Sequence, residues 1–172
     1  AATINFLLRQ NIDVIAADDH LNEMKHLELN KLGIEVVIAP STNALRDLVA
    51  NSEYVAPAPG IPENHLVILE ALSQKKSLKT ELDIAYEWES QRVGGPRPIL
   101  AVTGTDGKTT TVMMAEAILQ AAGRSSIACG NTEVPLVEAL DMQVDSFVVE
   151  ASSFRLAFIE SFRAEASAWL NF

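Results

Sequence analysis

Residues 99–111 constrain the fold of this chain more than any other stretch, because an apolar segment runs into a glycine-containing turn that ends in Lys-Thr. Gly104 and Gly107 allow a tight turn whose backbone N–H groups face inward. Lys108 would bring a positive charge to the β and γ phosphates of a nucleotide, and the Thr109 hydroxyl would ligate Mg²⁺ at the start of the next helix. The stretch therefore predicts a phosphate-binding loop.

This loop departs from the usual spelling G-x-x-x-x-G-K-[ST]. Val102 stands where the first glycine is usual, and a glycine occurs at position 104 instead. The alternative is an ordinary strand-turn-helix connection in which Lys108 is solvated. The apolar strand directly before the turn and the helix directly after it favour the phosphate-binding interpretation.

Composition narrows the possible partners. The 172 residues include 13 Lys and Arg against 23 Asp and Glu, which gives a formal charge of −10. Such a chain would repel nucleic acid and anionic membrane surfaces, so neither is expected as a partner, and phosphate binding requires a local site. The single cysteine, Cys129, excludes an internal disulfide, and no signal peptide or membrane-length apolar run is visible. A cytoplasmic location is expected.

Strand and helix patterns alternate along the chain and predict an α/β fold with parallel sheets. Strands are expected at 11–18, 34–39, 53–56, 99–102, 125–129, 145–150 and 166–172, and helices at 1–10, 21–32, 42–50, 64–74, 81–90, 109–122 and 136–140. The glycine- and proline-containing stretch 91–98 reads as a linker. We expect a Rossmann-like domain over 1–90 and a P-loop domain over 99–172.

Several candidate residues lie at strand ends, where α/β proteins carry their sites. Asp18 closes the first strand and could contact a sugar or base, although Asp19 is an equal candidate and a helix-capping role is the alternative. Gly60 lies in a proline-rich turn that could receive an anionic group. Asn131 follows the strand 125–129. Glu150 ends a buried strand and suits Mg²⁺. The alternative for Glu150 is a carboxylate that accepts hydrogen bonds from Ser152 and Ser153.

Together these motifs resemble those of the Mur ligase family of peptidoglycan synthesis, and most closely its members that add D-glutamate. The matching runs are Pro59-Gly60-Ile61-Pro62, Thr103-Gly-Thr-Asp-Gly-Lys-Thr-Thr110, Gly130-Asn131, Glu150-Ala-Ser-Ser-Phe154 and Leu170-Asn171. The resemblance implies a Rossmann-like N-terminal domain that binds the UDP-linked substrate, followed by part of the P-loop central domain of a Mur ligase. It also implies ATP and Mg²⁺ as cofactors, with UDP-N-acetylmuramoyl-L-alanine, D-glutamate and ATP as the reactants.

The resemblance also implies a role for each matching residue. Lys108 and Glu150 would be catalytic, and Thr109 and Glu150 would hold the metal. The ATP phosphates would lie against Gly104, Thr105, Asp106, Gly107, Lys108, Thr109 and Thr110. The UDP-linked substrate would contact Asp18, Gly60, Asn131 and Ser152.

The sequence also departs from the family pattern. Asp106 stands where Asn is usual, Glu133 belongs to a Thr-Glu pair where Ile-Gly is common, and Arg155 stands where Gln is common. An initial strand with its glycine-rich loop, an acid-His segment, a carbamate-bearing lysine and a C-terminal domain are not recognised. We therefore expect a fragment truncated at both ends and inactive alone. The alternatives are another Mur-type or folylpolyglutamate-type amide ligase, or a non-catalytic nucleotide-binding fragment.

Overall fold

The computed structural model describes residues 2–20 and 23–172 and has the α/β architecture expected from the sequence. The helices are α1 (Ala2–Arg9), α2 (Glu23–Lys31), α3 (Thr42–Asn51), α4 (Leu66–Ser73), α5 (Glu81–Ser90), α6 (Lys108–Ala121), α7 (Leu136–Ala139) and α8 (Ser153–Leu156). The strands are β1 (Ile15–Asp18), β2 (Glu35–Ile38), β3 (Tyr54–Val55), β4 (Ser77–Leu78), β5 (Ile99–Thr103), β6 (Ser126–Gly130), β7 (Ser146–Glu150) and β8 (Ala166–Trp169). The predicted start of α2, at Leu21 and Asn22, lies outside the described residues.

Contacts divide the chain into two compact units. The first contains residues 1–55 and 62–77, and the second contains residues 56–61 and 78–172. None of the helices in residues 2–20 and 23–172 combines the length and the apolar character that spanning a membrane requires.

In the first unit, β1 and β2 pair in parallel, with Ile15 opposite Glu35 and Asp18 opposite Ile38. The next strand, β3, does not extend this pair, because it is only two residues long and pairs with β4 instead. Pro57 and Pro59 lie two and four residues beyond the end of β3 and lack the N–H groups that a longer ladder requires. The expected βα alternation is present, but the first unit has no continuous sheet among its described residues.

The second unit is built on a four-stranded sheet in the order β6-β7-β5-β8, in which all strands are parallel. Helix α6 covers one face, where Val112 packs with Val102 and Val148 in a fully buried cluster. Crossover connections bring the carboxyl ends of parallel strands to one edge of a sheet. The loops after β5, β6 and β7 therefore meet at that edge.

Helix α5 belongs to the second unit, which differs from the boundary expected at 91–98. Asp83 on α5 is fully buried, and its Oδ1 accepts hydrogen bonds from the backbone N–H groups of Glu160 (3.0 Å), Ser161 (2.8 Å) and Phe162 (2.9 Å). Glu89 forms a buried ion pair with Arg97 at 2.6 Å, so the expected linker contains an anchored residue. Glycine and proline content suggested flexibility, but the buried arginine fixes this stretch to α5.

We expect Asp83→Asn to lower the free energy of unfolding by about 1–3 kcal/mol at pH 7. Burial alone would raise the pKa of Asp83, but hydrogen bonds from Phe162, Thr80 and Ser161 lower it below its ordinary value. A lowered pKa stabilises the fold above the unfolded pKa of about 4, and this contribution disappears as pH falls through the folded value. Urea titrations between pH 7 and pH 2 should therefore show a flatter acid limb for Asp83→Asn than for the wild type. Asp13→Asn, at an exposed position, is the control and should leave that limb unchanged.

Candidate functional site

The loop between β5 and α6 presents backbone donors at a helix N-terminus. Gly107 is the N-cap of α6, with φ 80° in the left-handed region, and no side chain caps the helix there. The first intrahelical bond is donated by the N–H of Thr111 to the carbonyl of Gly107. The N–H groups of Lys108, Thr109 and Thr110 therefore lack intrahelical acceptors, which suits them to an anion.

Lys108 reaches back across this loop. Its Nζ donates to the carbonyl oxygens of Gly104 and Thr105, each at 2.7 Å. The ammonium group of this half-buried side chain therefore lies over the turn. It places a positive charge beside the N–H groups that open α6.

Three polar side chains meet next to the loop. The carboxylate of Glu150, which is only 2% exposed, accepts a hydrogen bond from the Thr109 hydroxyl at 2.7 Å. Its other oxygen accepts from the side-chain amide of Asn131 at 3.0 Å. The sequence offered Ser152 and Ser153 as hydrogen-bond partners of Glu150. The donors are instead Thr109 and Asn131, which sequence analysis had assigned to the metal and the substrate.

The register of the sheet explains this convergence. Glu150 at the end of β7 lies opposite Val102 of β5 and Gly130 of β6. The N–H of Asn131 donates to the backbone carbonyl of Glu150 at 2.8 Å, so the chain after β6 stays close to β7. A Cβ at Gly130, whose φ is 95°, would lie 2.5 Å from that same carbonyl oxygen. Glycine is therefore needed at 130 for both conformation and space.

Gly130→Ala should lower the free energy of unfolding by about 1–3 kcal/mol more than Gly123→Ala does. Both glycines have positive φ, but a Cβ at Gly123 would meet nothing within 4 Å. The comparison therefore separates the clash with the Glu150 carbonyl from the backbone strain that both alanines share. Chemical denaturation of the two variants measures the difference, and equal losses would contradict the close approach of β6 and β7.

The donor chemistry at Glu150 fits Mg²⁺. A hydroxyl and one carboxylate are oxygen ligands of the kind that Mg²⁺ takes together with phosphate and water. Within residues 2–20 and 23–172, no group of three or more His, Cys, Asp or Glu side chains could hold a metal ion. A site built from Thr109 and Glu150 would therefore depend on phosphate oxygens to complete the coordination.

The other candidate substrate residues lie in different elements of the chain. Ser152 precedes α8, and its carbonyl accepts from the N–H groups of Arg155 and Leu156. Gly60 is exposed at φ 92° in the proline-rich turn. Asp18 lies in the first unit at the end of β1, where its Oδ1 accepts from the N–H of His20 at 2.9 Å. Hydrogen bonds within the second unit join Thr109, Asn131 and Glu150, and Lys108 directly precedes Thr109 in the loop.

The neighbouring Asp19 has a different contact from Asp18. Its carboxylate lies 3.0 Å from Nε2 of His65, whose Nδ1 accepts from the N–H of Val67 and caps α4. Because Nδ1 is an acceptor, the proton of the neutral ring lies on Nε2 and faces Asp19. Asp19 therefore contacts the residue that caps α4, whereas Asp18 accepts a hydrogen bond from the backbone of His20.

Arg155, one of the departures noted in the sequence, pairs with Glu81 of α5. Glu81 also accepts a hydrogen bond from the N–H of Val137 at 2.8 Å. Burial raises the pKa of Glu81, while the contacts with Val137 and Arg155 favour its charged form. Glu81 of α5 therefore contacts α7 through Val137 and α8 through Arg155.

Asn171 contacts the phosphate loop, although sequence analysis gave it no role. Its side-chain amide binds the backbone of Thr105 and Asp106. The signal in the sequence was a polar residue near the end of the last apolar segment, two positions beyond the end of β8. That position is the same sheet edge to which β5 delivers the loop.

Comparison with known proteins identifies relatives of the chain. Residues 102–171 match the family model of the Mur ligase middle domain. The chain is 40% identical over 136 residues to UDP-N-acetylmuramoylalanine–D-glutamate ligase of Mycolicibacterium vanbaalenii, an alignment that covers 78% of this chain and 28% of that protein. It is 34% identical over 177 residues to the enzyme of the same name from Syntrophus aciditrophicus, covering 99% of this chain and 37% of that protein. The chain thus spans roughly a third of the length of these relatives.

A solved structure shares the fold. It is UDP-N-acetylmuramate:L-alanyl-gamma-D-glutamyl-meso-diaminopimelate ligase from Neisseria meningitides, with a TM-score of 0.54. The match covers 99% of this chain and 56% of that chain at 18% identity. At this identity the likeness concerns the fold alone.

Proposed function

The chain belongs to the Mur ligase family, and we propose that it acts in an ATP-dependent amide ligase that joins D-glutamate to UDP-N-acetylmuramoyl-L-alanine in peptidoglycan synthesis. The names of the relatives at 34% and 40% identity support the choice of D-glutamate. The reaction would phosphorylate the substrate carboxylate with ATP, and the amine of D-glutamate would attack the resulting acyl phosphate. Use of ATP and a UDP-linked precursor fits a cytoplasmic location.

One observation carries this proposal. Thr109, Asn131 and Glu150 converge on a single point beside the free N–H groups and the ammonium group at the start of α6. A transferring phosphoryl group requires charge neutralisation and positioning more than covalent chemistry. Backbone donors, a lysine, a hydroxyl and a carboxylate at one sheet edge supply both.

We assign the roles as follows. Lys108 and the N–H groups that open α6 would bind the β and γ phosphates, with residues 104–110 forming the cradle. Thr109 and Glu150 would hold Mg²⁺, which would neutralise charge on the phosphates. Asn131, fixed by Glu150, would orient the acceptor carboxylate beside the loop. Ser152, Gly60 and Asp18 would contact the UDP-linked substrate.

Phosphate release by the full-length protein tests the assignment. With Mg·ATP and UDP-N-acetylmuramoyl-L-alanine present, release should depend on D-glutamate, and L-glutamate and meso-diaminopimelate should not replace it. Release that depends on another amino acid or on a folate would identify a different amide ligase. Binding of Mg·ATP without turnover on any of these substrates would indicate a nucleotide-binding role instead.

A further inference from the structure

The segment after β8 is fastened to the phosphate loop. The Oδ1 of Asn171 accepts hydrogen bonds from the N–H groups of Thr105 (2.9 Å) and Asp106 (3.0 Å), and its Nδ2 donates to the carbonyl of Asp106 at 3.2 Å. One residue earlier, the N–H of Leu170 donates to the carbonyl of Thr103 at 3.0 Å. The two segments therefore bind each other along the whole first half of the loop.

Gly104 permits this approach. Its φ is 146°, and a Cβ there would lie 3.2 Å from both the backbone nitrogen of Asn171 and the Cβ of Leu170. A side chain at 104 would separate the loop from the segment that follows β8. Glycine is therefore required at position 104 by the close contact with Asn171 as well as by the turn itself.

The contacts divide the backbone donors of the loop into two groups. Asn171 takes the N–H groups of Thr105 and Asp106, whereas those of Lys108, Thr109 and Thr110 have no acceptor within α6. An amide matches a peptide group at two points, because it offers an acceptor and a donor together. Aspartate at 171 would lose the donor and add a negative charge next to Asp106.

We propose that Asn171 is a positioning residue of the nucleotide site, which holds the first half of the loop so that the donors opening α6 face the phosphates. This inference rests on the proposed binding of ATP. Preorganised donors avoid the cost of ordering the loop when the nucleotide binds. Because Asn171 hydrogen-bonds to the backbone of the loop that would hold the phosphates, its effect should appear in nucleotide affinity.

Calorimetry with Mg·ATP and thermal unfolding without nucleotide, both on the full-length protein, test this role. Asn171→Ala removes three hydrogen bonds to the loop and should weaken Mg·ATP binding by about 10-fold. Asn171→Asp should weaken it further through charge repulsion. The control is Asn51→Ala, which removes another exposed amide-to-backbone hydrogen bond, at 2.9 Å to the carbonyl of Asp47. Asn51→Ala should leave Mg·ATP affinity unchanged, whereas Asn171→Ala should weaken it.

A second measurement observes the contact itself. In the nucleotide-free protein, hydrogen exchange at the amides of Thr105 and Asp106 should be slow in the wild type and fast in Asn171→Ala, with the amides of β7 unchanged. In steady-state assays the KM for ATP should rise while the KM for the UDP-linked substrate stays constant. A purely structural role of Asn171 would lower the melting temperature without raising the KM for ATP selectively.

Three results would overturn the inference. Unchanged Mg·ATP affinity in Asn171→Ala would show that the loop does not need this contact. Tighter binding in that variant would show that the Asn171 oxygen competes with phosphate for the two N–H groups. Failure of the wild type to bind Mg·ATP would remove the proposed function and the inference together, whereas the first two results leave the proposed function intact.

Discussion

Replacing Lys108 with alanine is expected to weaken Mg·ATP binding by about 10- to 100-fold, because a charged hydrogen-bond donor contributes about 1.5–3 kcal/mol. The ammonium group lies over the loop at 2.7 Å from two carbonyl oxygens, beside the N–H groups that open α6. Moving it from these carbonyls to phosphate oxygens exchanges neutral acceptors for charged ones, which form stronger hydrogen bonds. Titration calorimetry of the full-length protein with Mg·ATP measures the loss.

Arg124→Ala is the matched control for Lys108→Ala. It removes one positive charge from an exposed position just beyond the opposite end of α6. Nucleotide affinity should change little in this control. Equal losses in both variants would indicate a general charge effect. A lower melting temperature with unchanged affinity in Lys108→Ala would mean that the lysine serves only to close the turn over Gly104 and Thr105.

The elements of the second unit were predictable because its strands are continuous apolar runs. Helix α5 was predicted at its observed bounds, and β5 and β7 were each within one residue of theirs. Their ends are marked by Thr80 before α5, by the glycine turn after β5, and by the carboxylate that closes β7. Such local signals are sufficient to predict an element when its apolar pattern and its end signals indicate the same bounds.

Pairing and domain boundaries were harder to predict, since they depend on contacts distant in sequence. Strand β4 was not expected, because its two residues Ser77 and Leu78 show no periodicity. Helix α8 was likewise too short to predict. The stretch 91–98 has the composition of a linker, yet Arg97 within it is buried in an ion pair with Glu89. The composition of a segment does not predict that one of its charged residues will form a buried ion pair with a residue elsewhere in the chain.

Most residues of the candidate site could be predicted from the sequence, but the hydrogen bonds among them could not. The motif around Lys108 and the placement of Asn131 and Glu150 at strand ends follow from patterns along the chain. That Thr109 and Asn131 are the donors to Glu150 depends on sheet register, which single-sequence patterns do not specify. The contact of Asn171 with the loop depends on β8 lying beside β5, so it too required the strand order.

The environment of Glu150 differs from that of the other fully buried glutamate in the second unit. Its carboxylate accepts hydrogen bonds from two neutral side chains, those of Thr109 and Asn131. In the part of the chain that the structure describes, no lysine, arginine or histidine pairs with it. Glu89, by contrast, is paired with Arg97. A buried carboxylate without a cationic side chain is costly, and a bound cation would offset that cost.

Glu150→Gln is therefore expected to lower turnover by at least about 100-fold and to leave the free energy of unfolding nearly unchanged. Glutamine keeps the shape and can still accept from Asn131, so no buried charge is left unpaired. Loss of the carboxylate removes charge that would hold Mg²⁺ at the phosphates, and comparable losses of preorganised charge stabilisation cost 10²–10³ in rate, that is roughly 3–4 kcal/mol. The concentration of Mg²⁺ needed for half-maximal phosphate release should rise as well. Glu89→Gln is the control: it leaves Arg97 unpaired and should cost about 3–5 kcal/mol of stability, while the Mg²⁺ dependence of the folded enzyme stays unchanged. If Glu150→Gln instead behaves like this control, with lower stability and an unaltered Mg²⁺ dependence, Glu150 supports the fold and does not bind the metal.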